Sequence, residues 1–469
     1  HRISLVVVTL LAVLLPSAAA SAGSSQFTTV EAPSELLFAG SPDAGLDQVE
    51  SLGATAIRLQ LSWSLVAPVP SAKRAPSSFN ETDPNAYPAA NWARYDAAID
   101  GARARGLKVY LTLTGPAPRW ATAAKKDQLT RPSATAFSKF ATAVGRRYGA
   151  KVSWWSIWNE PNLGKLLKPI YEGRSGRTLA SPAIYRQLYL RAYEGLRAAG
   201  VRAPILIGEL APRANSLRDN GTVPPLAFLR SMLCLDSRYH KARTCGKVST
   251  QGFAMHPYTT KFGPFFQPAN PDDVTIGVLP RLVKALDRAA AAGALPRRLP
   301  IYVSEFGVQS YPDRVAGVPL ATQSDFRSIG EHIAWGNRRV TSFSQYLLRD
   351  DATHAGAFGA FESGLFLFDD GAPKPSYYGF RLPLVVTKGN NGSRVALWGV
   401  VRPAHGRAGS VAIQVKDRGH GWTTLATQRY GGSGYWQRAA TTKAGRQWRV
   451  AWTDPVSGTQ YAGSATVAR

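Results

Sequence analysis

The sequence predicts an α/β fold: a (β/α)8 barrel over residues 25–382, followed by a C-terminal antiparallel β-sandwich over residues 383–469. Three observations lead there. Short β-branched and apolar runs alternate with stretches of helical periodicity as far as about Phe380, the order expected of a parallel sheet covered by helices. Most of the runs are nearly continuous in apolar residues, as strands buried on both faces should be. Beyond Pro383 the helical period is lost, and short alternating runs are separated by glycine-rich turns.

Eight runs read as barrel strands: Leu36–Ala39, Ala56–Leu61, Lys108–Thr112, Ser153–Trp158, Ile205–Gly208, Gly252–His256, Ile301–Ser304 and Ser342–Tyr346. The helices between them carry their own signals. Trp92, Tyr95 and Ile99 recur at helical spacing, and Gly106 ends that helix. Pro132 opens a helix with Phe137, Phe140 and Val144 on one face; Pro182 opens another with Leu188 and Leu196, closed by Gly200. An eighth helix falls around Ser376–Phe380. The competing fold is an open doubly wound sheet, which usually has a glycine-rich phosphate loop at its first βα turn; Gly40-Ser41-Pro42-Asp43 is not one. The sandwich strands are expected at Val395–Val400, Val411–Val415, Trp422–Leu425, Trp448–Trp452 and Ser464–Val467, with turns such as Gly419-His420-Gly421 and Gly431-Gly432.

A composition of 45% apolar and 18% charged residues excludes a disordered chain. At the N-terminus, Arg2 precedes a short apolar run from Ile3 to Leu15, and Ala18, Ala20 and Ala22 offer small-residue cleavage sites. A membrane span needs about 20 apolar residues, so residues 1–24 read as a secretory signal, and no stable membrane insertion is expected. The expected location is extracellular, with association to the cell surface open. In an oxidising compartment Cys234 and Cys245 are expected to close a disulfide; the alternative is two buried free thiols. The seven histidines and two cysteines form no cluster with zinc spacing, so neither a catalytic metal nor another cofactor is expected. The net charge of +26 is spread over the whole chain without a dense stripe. Together with export this argues against nucleic acid, leaving a generally basic surface or weak attraction to anionic glycans or a cell surface.

Acidic residues are scarce, 30 against 56 basic ones, so their placement is informative. Two glutamates fall just past strand C-terminal ends, where a barrel builds its active site. Glu160 lies in Trp158-Asn159-Glu160-Pro161-Asn162 after the fourth strand, and Glu305 in Ser304-Glu305-Phe306-Gly307 after the seventh. Cleaving an acetal needs an acid for the leaving oxygen and a nucleophile or base for the oxocarbenium ion, and two carboxylates supply both. Their protonation states must differ. Burial beside Trp158 would favour the neutral acid, while Arg58 and the Tyr258 hydroxyl would hold the nucleophile charged.

These residues resemble the clan of retaining glycoside hydrolases with (β/α)8 barrels that includes families 5, 39 and 42. The resemblance covers about residues 34 to 380 and rests on Asn159-Glu160-Pro161 after strand four and Glu305-Phe306-Gly307 at strand seven. It implies Glu160 as acid/base, Glu305 as nucleophile and Asn159 as a partner of the sugar 2-hydroxyl. It also places Arg58 on strand two near the nucleophile, and His256 and Tyr258 after strand six against nucleophile or sugar. Many members have a tryptophan at the end of strand eight; this chain has Ser344-Gln345-Tyr346, and Gln345 is taken as a substrate contact there.

Each assignment has a plainer competitor. Glu160 and Glu305 could be strand-end ion pairs. Glu209, after strand five, is read as a supporting or substrate-contacting carboxylate, and His256 as either structural or part of the site. Trp63 and Trp120 are candidates to stack on sugar rings, against ordinary core packing. Core or inter-domain packing is the expectation for Trp398, Trp422, Trp436, Trp448 and Trp452. Two loops, Ala67 to Ala90 and Lys165 to Arg177, are expected to shape the cleft. The resulting expectation is an exported, metal-independent retaining glycosidase acting on β-linked gluco-type or arabino-type sugars of a polysaccharide, oligosaccharide or glycoside. A transglycosylase using the same residues and a non-catalytic carbohydrate-binding wall protein are the alternatives.

Overall fold

The structure is a computed structural model that describes residues 26–173, 178–215, 221–351, 360–390 and 392–469. The expected targeting segment and the end of the Lys165–Arg177 loop lie outside the described residues.

Eight parallel strands close a barrel in sequence order: β1 (Phe27–Glu31), β2 (Ala56–Ser62), β3 (Lys108–Thr114), β4 (Trp154–Ile157), β5 (Ile205–Leu210), β6 (Gly252–Met255), β7 (Ile301–Val303) and β8 (Val340–Tyr346). The helices that follow them are α1 (Asp43–Ser51), α2 (Ala89–Ala104), α3 (Ala134–Tyr148), α4 (Ser181–Ala198), α5 (Pro225–Met232), α6 (Leu279–Ala291), α7 (Leu320–Trp335) and α8 (Pro375–Arg381). Local signals set several of these ends. The Ser133 hydroxyl accepts from the Ala136 amide at the start of α3, and prolines open α4, α5, α6 and α8.

The first strand corrects the sequence reading. Leu36 and Leu37 are buried, but on a one-turn helix, Pro33–Leu37, whose opening proline cannot continue a sheet ladder. The strand lies earlier, in Phe27-Thr-Thr-Val-Glu31, where β-branched residues dominate. It pairs with both neighbours so that Glu31 is level with Arg58 on β2 and Tyr346 on β8.

The barrel interior is filled in layers. At the N-terminal end of the strands Phe27 stacks on Trp154 with centroids 4.1 Å apart, beside Tyr302, Leu206 and Ala254. Above them Arg58, Thr112, Ser156 and Glu209 form a buried polar layer. The aliphatic core lies outside, between strands and helices. Apolar packing thus holds the barrel shut while its upper interior is left to charge.

After α8 the chain forms two antiparallel sheets. One is β9 (Leu384–Lys388), β10 (Arg394–Val400) and β13 (Tyr435–Thr441); the other contains β11 (Gly409–Lys416), β12 (Thr423–Tyr430), β14 (Gln447–Thr453), β15 (Gln460–Ala462) and β16 (Thr466–Val467). Leu384, Val386, Leu397, Ile413, Trp448 and Val450 fill the space between them. Trp398, Trp436, Trp448 and Trp452 are buried, and Trp422 lies under the Arg449 guanidinium. Packing accounts for these aromatics.

Candidate active site

Alternation along β2 puts Arg58 and Gln60 on one face, toward the barrel axis. Arg58 is fully buried and is the hub of the site. Its Nη1 donates to Glu31 and, at 2.7 Å, to Glu305 Oε1; its Nη2 donates to Asn159 Oδ1 at 2.9 Å and to Glu209 Oε2 at 3.0 Å. A planar guanidinium can serve several acceptors at once because its N–H groups form a fixed fork. Burial alone would lower its pKa, but Glu209, Glu31 and Glu305 outweigh this and raise it well above the usual value.

Glu209 faces inward because β5 is irregular there. The register with β6 shifts between Gly208 and Leu210, and Glu209 takes a positive φ of 49°. Its carboxylate accepts from Tyr110 at 2.8 Å, Thr112 at 3.0 Å and Ser156 at 2.6 Å, besides Arg58. Burial pushes its pKa up, yet Arg58, His256 and the Ser156 hydroxyl prevail and hold it below the usual value. With no exposed surface and its acceptors occupied, Glu209 supports the site from below. Its backbone carbonyl also accepts the Glu160 amide at 2.9 Å.

Glu160 and Glu305 come together above this layer. Glu160 follows β4, where Trp158 and Glu160 both have positive φ, 65° and 42°. For non-glycine residues these values are costly, and their concentration at a carboxylate is a mark of a functional site. Glu305 leaves β7 with Oε2 accepting from the Tyr258 hydroxyl at 2.8 Å. The Gln60 amide lies 3.4 Å from its Oε1. His256 Nδ1 lies 3.1 Å from Glu160 Oε1 and 3.4 Å from Glu305 Oε2, so one imidazole nitrogen bridges both. Burial works against the imidazolium, but Glu305 and Glu160 prevail and raise its pKa.

One oxygen of Glu160, one of Glu305 and a nitrogen of His256 lie within 4.8 Å of one another, the grouping among the described residues that could take a metal ion. Against it, the Arg58 guanidinium 2.7 Å from Glu305 would oppose a second cation, and both Glu305 oxygens already accept hydrogen bonds.

Asn159, Arg58, His256, Tyr258, Glu160, Glu305 and Glu209 therefore meet in one place. Three other sequence-predicted residues do not join them. Trp63 is fully buried, stacked on Phe140 at 5.5 Å in the layer between strands and helices. Trp120 is half-buried and meets Trp63 and Phe79 edge-on, while its Nε1 donates to the Pro68 carbonyl at 3.2 Å. That contact holds the Ala67–Ala90 loop. Gln345 is buried; its Oε1 accepts from Arg327 Nε at 3.1 Å and its Nε2 donates to the Leu347 and Ser363 carbonyls. All three side chains serve packing or the backbone.

Two site residues escaped the sequence reading. Glu31 was lost with the misplaced first strand, although a scarce carboxylate ending a β-branched run was the available signal. Gln60 donates to Glu31 Oε1 at 2.8 Å and is found by counting two residues on from Arg58. Cys234 and Cys245 are joined as a disulfide, on the side of the barrel after α5.

No curated protein sequence matches the chain. Among solved structures, a β-glucuronidase from Bacteroides uniformis aligns over 95% of this chain and 46% of its own length, at 10% identity and TM-score 0.46. A family 1 β-glucosidase from Thermotoga maritima aligns over 70% of this chain and 80% of its own, at 16% identity and TM-score 0.44. The virulence factor SghA of Agrobacterium tumefaciens aligns over 74% and 92%, at 15% identity and TM-score 0.46. The model of the cellulases, glycosyl hydrolase family 5, matches residues 22–316. That match spans most of the barrel and more than half of the chain: it belongs to glycosyl hydrolase family 5 and is a retaining glycoside hydrolase.

Proposed function

We propose that the protein hydrolyses β-linked gluco-type or arabino-type glycosides outside the cell, with Glu305 as nucleophile and Glu160 as acid/base. The observation that carries this reading is the approach of the two carboxylates, one oxygen of Glu160 lying within 4.8 Å of one of Glu305. Retaining enzymes need about 5–5.5 Å between the carboxyl groups, whereas inverting ones leave about 6.5–9.5 Å for a water. In the first step a Glu305 oxygen attacks the anomeric carbon while Glu160 gives its proton to the leaving oxygen. The product is a glycosyl ester on Glu305. In the second step Glu160, now ionised, takes a proton from water, which displaces Glu305. Arg58, Tyr258 and Gln60 hold Glu305 in position, and Asn159, fixed by Arg58, is available to the sugar 2-hydroxyl. Export is supported by the short apolar run at the N-terminus, and by the Cys234–Cys245 bridge, which suits an oxidising compartment. The net charge of +26 favours association with anionic glycans or surfaces.

The test is a pair of variants assayed across aryl glycosides and polysaccharides. Glu305→Ala should abolish turnover, and azide should restore it with a glycosyl azide of inverted anomeric configuration. Glu160→Ala should lose most activity on poor leaving groups and keep more on activated aryl glycosides. Wild-type activity in Glu305→Ala, with equal loss on both substrate types for Glu160→Ala, would sink the assignment.

A further inference from the structure

We propose that the seam between α6, α7 and β9 is a binding site for a single anionic lipid, with its acyl chain along the groove and its phosphate at the arginines that end it. The groove has a volume of about 1050 Å³. Its walls include Leu279 and Val283 of α6, Ile329 and Ile333 of α7, and Val385 of β9. It follows α6 from Leu279 to Ala291, about 18 Å at the ~1.5 Å rise of a helix. Phe265, 67% exposed, stands at its upper end. Lys284 and Arg288 of α6 also line it, and among its polar groups His332 of α7 is stacked on Trp398 at 4.9 Å. Burial pushes the His332 pKa down to about 4, so it presents a neutral ring.

The lower end has the opposite chemistry. Beyond Ala291 a second hollow of about 660 Å³ shares Asp287, Ala291 and Arg338 with the groove, and is lined also by Arg297, Arg298 and Arg339. Four guanidiniums face one carboxylate there. That carboxylate, Asp287, already accepts from Arg339 Nη1 at 2.8 Å. Arg339 Nη2 is buried and has no hydrogen-bond partner among the described residues. A cationic end with an unused buried donor calls for an anion. The contiguous apolar length calls for a hydrocarbon chain in the same molecule. Inorganic phosphate or a neutral sugar would use half of the site.

The topology keeps this site apart from Glu160 and Glu305. α6 begins on the loop that follows His256 at the barrel mouth and runs to the opposite face, where the α6–β7 and α7–β8 connections carry the arginines. Lipid binding is therefore independent of the glycosidase reading.

The experiment measures binding to the full chain by calorimetry. The probe is monoacyl phosphatidylglycerol below its micellar concentration, compared with monoacyl phosphatidylcholine and glycerol 1-phosphate. The expected result is saturable one-to-one binding of the first, at least tenfold weaker binding of the second, and none of the third. Val283→Asp and the surface triple variant Arg297→Ser/Arg298→Ser/Arg338→Ser should each weaken binding at least tenfold. Melting curves confirm that they fold, and Ile333→Ser replaces Val283→Asp if the latter does not. Four outcomes would overturn the proposal: no binding, equal binding of glycerol 1-phosphate, an apolar variant that binds like wild type, or an acidic amphipathic peptide occupying the groove where the lipid does not.

Discussion

At the scale of the residue, one guanidinium organises the site, and its carboxylate partners are not equivalent. Glu209 has three hydroxyl donors besides Arg58, and Glu305 has Tyr258 and the nearby His256; Glu31 has Gln60. Glu31 is buried, and burial pushes its pKa up to about 7, aided by Glu305 and opposed by Arg58. An acid whose folded pKa lies above its ordinary 4.5 is bound to its proton more tightly in the fold than in the unfolded chain. Its contribution to stability is therefore complete below pH 4.5 and is lost as pH rises through about 7. The shift corresponds to roughly 3 kcal/mol over that window. Glu31→Gln removes this proton linkage. Denaturant unfolding at pH 4.5, 6, 7 and 8 should show the variant gaining on the wild type by about that amount up to pH 7 and then running parallel to it. Curves parallel throughout would mean that Glu31 keeps its ordinary acidity.

At the scale of the element, strand ends and the bends beyond them decide which side chains reach the mouth. Gly307, two residues past Glu305, shows how tight that bend is. A Cβ there would lie 2.2 Å from the Tyr346 carbonyl and 2.8 Å from the Ser363 Cβ, both held by backbone of the neighbouring segment. Gly307→Ala should therefore displace the exit of β7, costing about 1–3 kcal/mol and lowering kcat by moving Glu305 against Arg58. Gly421→Ala, which meets nothing within 4 Å, is the control that should leave both unchanged. Unchanged kcat in Gly307→Ala would show that the bend does not position Glu305. The same features explain what the sequence disclosed. Seven barrel strands were legible because burial on both faces makes them apolar runs, and Glu160 and Glu305 because flanking motifs marked those strand ends. The first strand was not, since Leu36-Leu37 is the more apolar segment and nothing in its hydrophobicity distinguishes a short buried helix from a buried strand. Glu31 was hidden with it. For Trp63 both readings stayed open because an aromatic at a strand end can turn to the mouth or to the helix layer, and periodicity does not say which; the structure takes the second. In the sandwich, Leu384–Lys388 was passed over directly after the linker proline Pro383, and Tyr435–Thr441 and Gln460–Ala462 because their exposed polar residues dilute the alternation.

At the scale of the whole molecule, the sandwich is fastened to the barrel along α7, by an apolar patch and a buried ionic triad. Ile329 packs with Val385, Trp398 and Val400. Beside them Glu331 of α7 accepts from Arg327 of the same helix through one oxygen and from Arg402 of the sandwich through the other. All three residues are buried. Arg402 also donates to the Phe380 carbonyl, and Arg327 reaches Gln345 on β8, so the triad ties the sandwich to a barrel strand. Buried ion pairs contribute little net stability when complete, but leaving one charge without its partner is expensive. Glu331→Gln strands two guanidiniums side by side and should cost about 3–5 kcal/mol. Arg402→Met leaves the Arg327–Glu331 pair intact and fills the space with an unbranched apolar chain, so it should cost clearly less. Calorimetric melting distinguishes them: Glu331→Gln should show the larger fall in Tm, and its transition should split as the sandwich melts before the barrel. The reverse order of Tm, or a single unbroken transition in Glu331→Gln with an unchanged midpoint, would assign the fastening to the apolar patch alone.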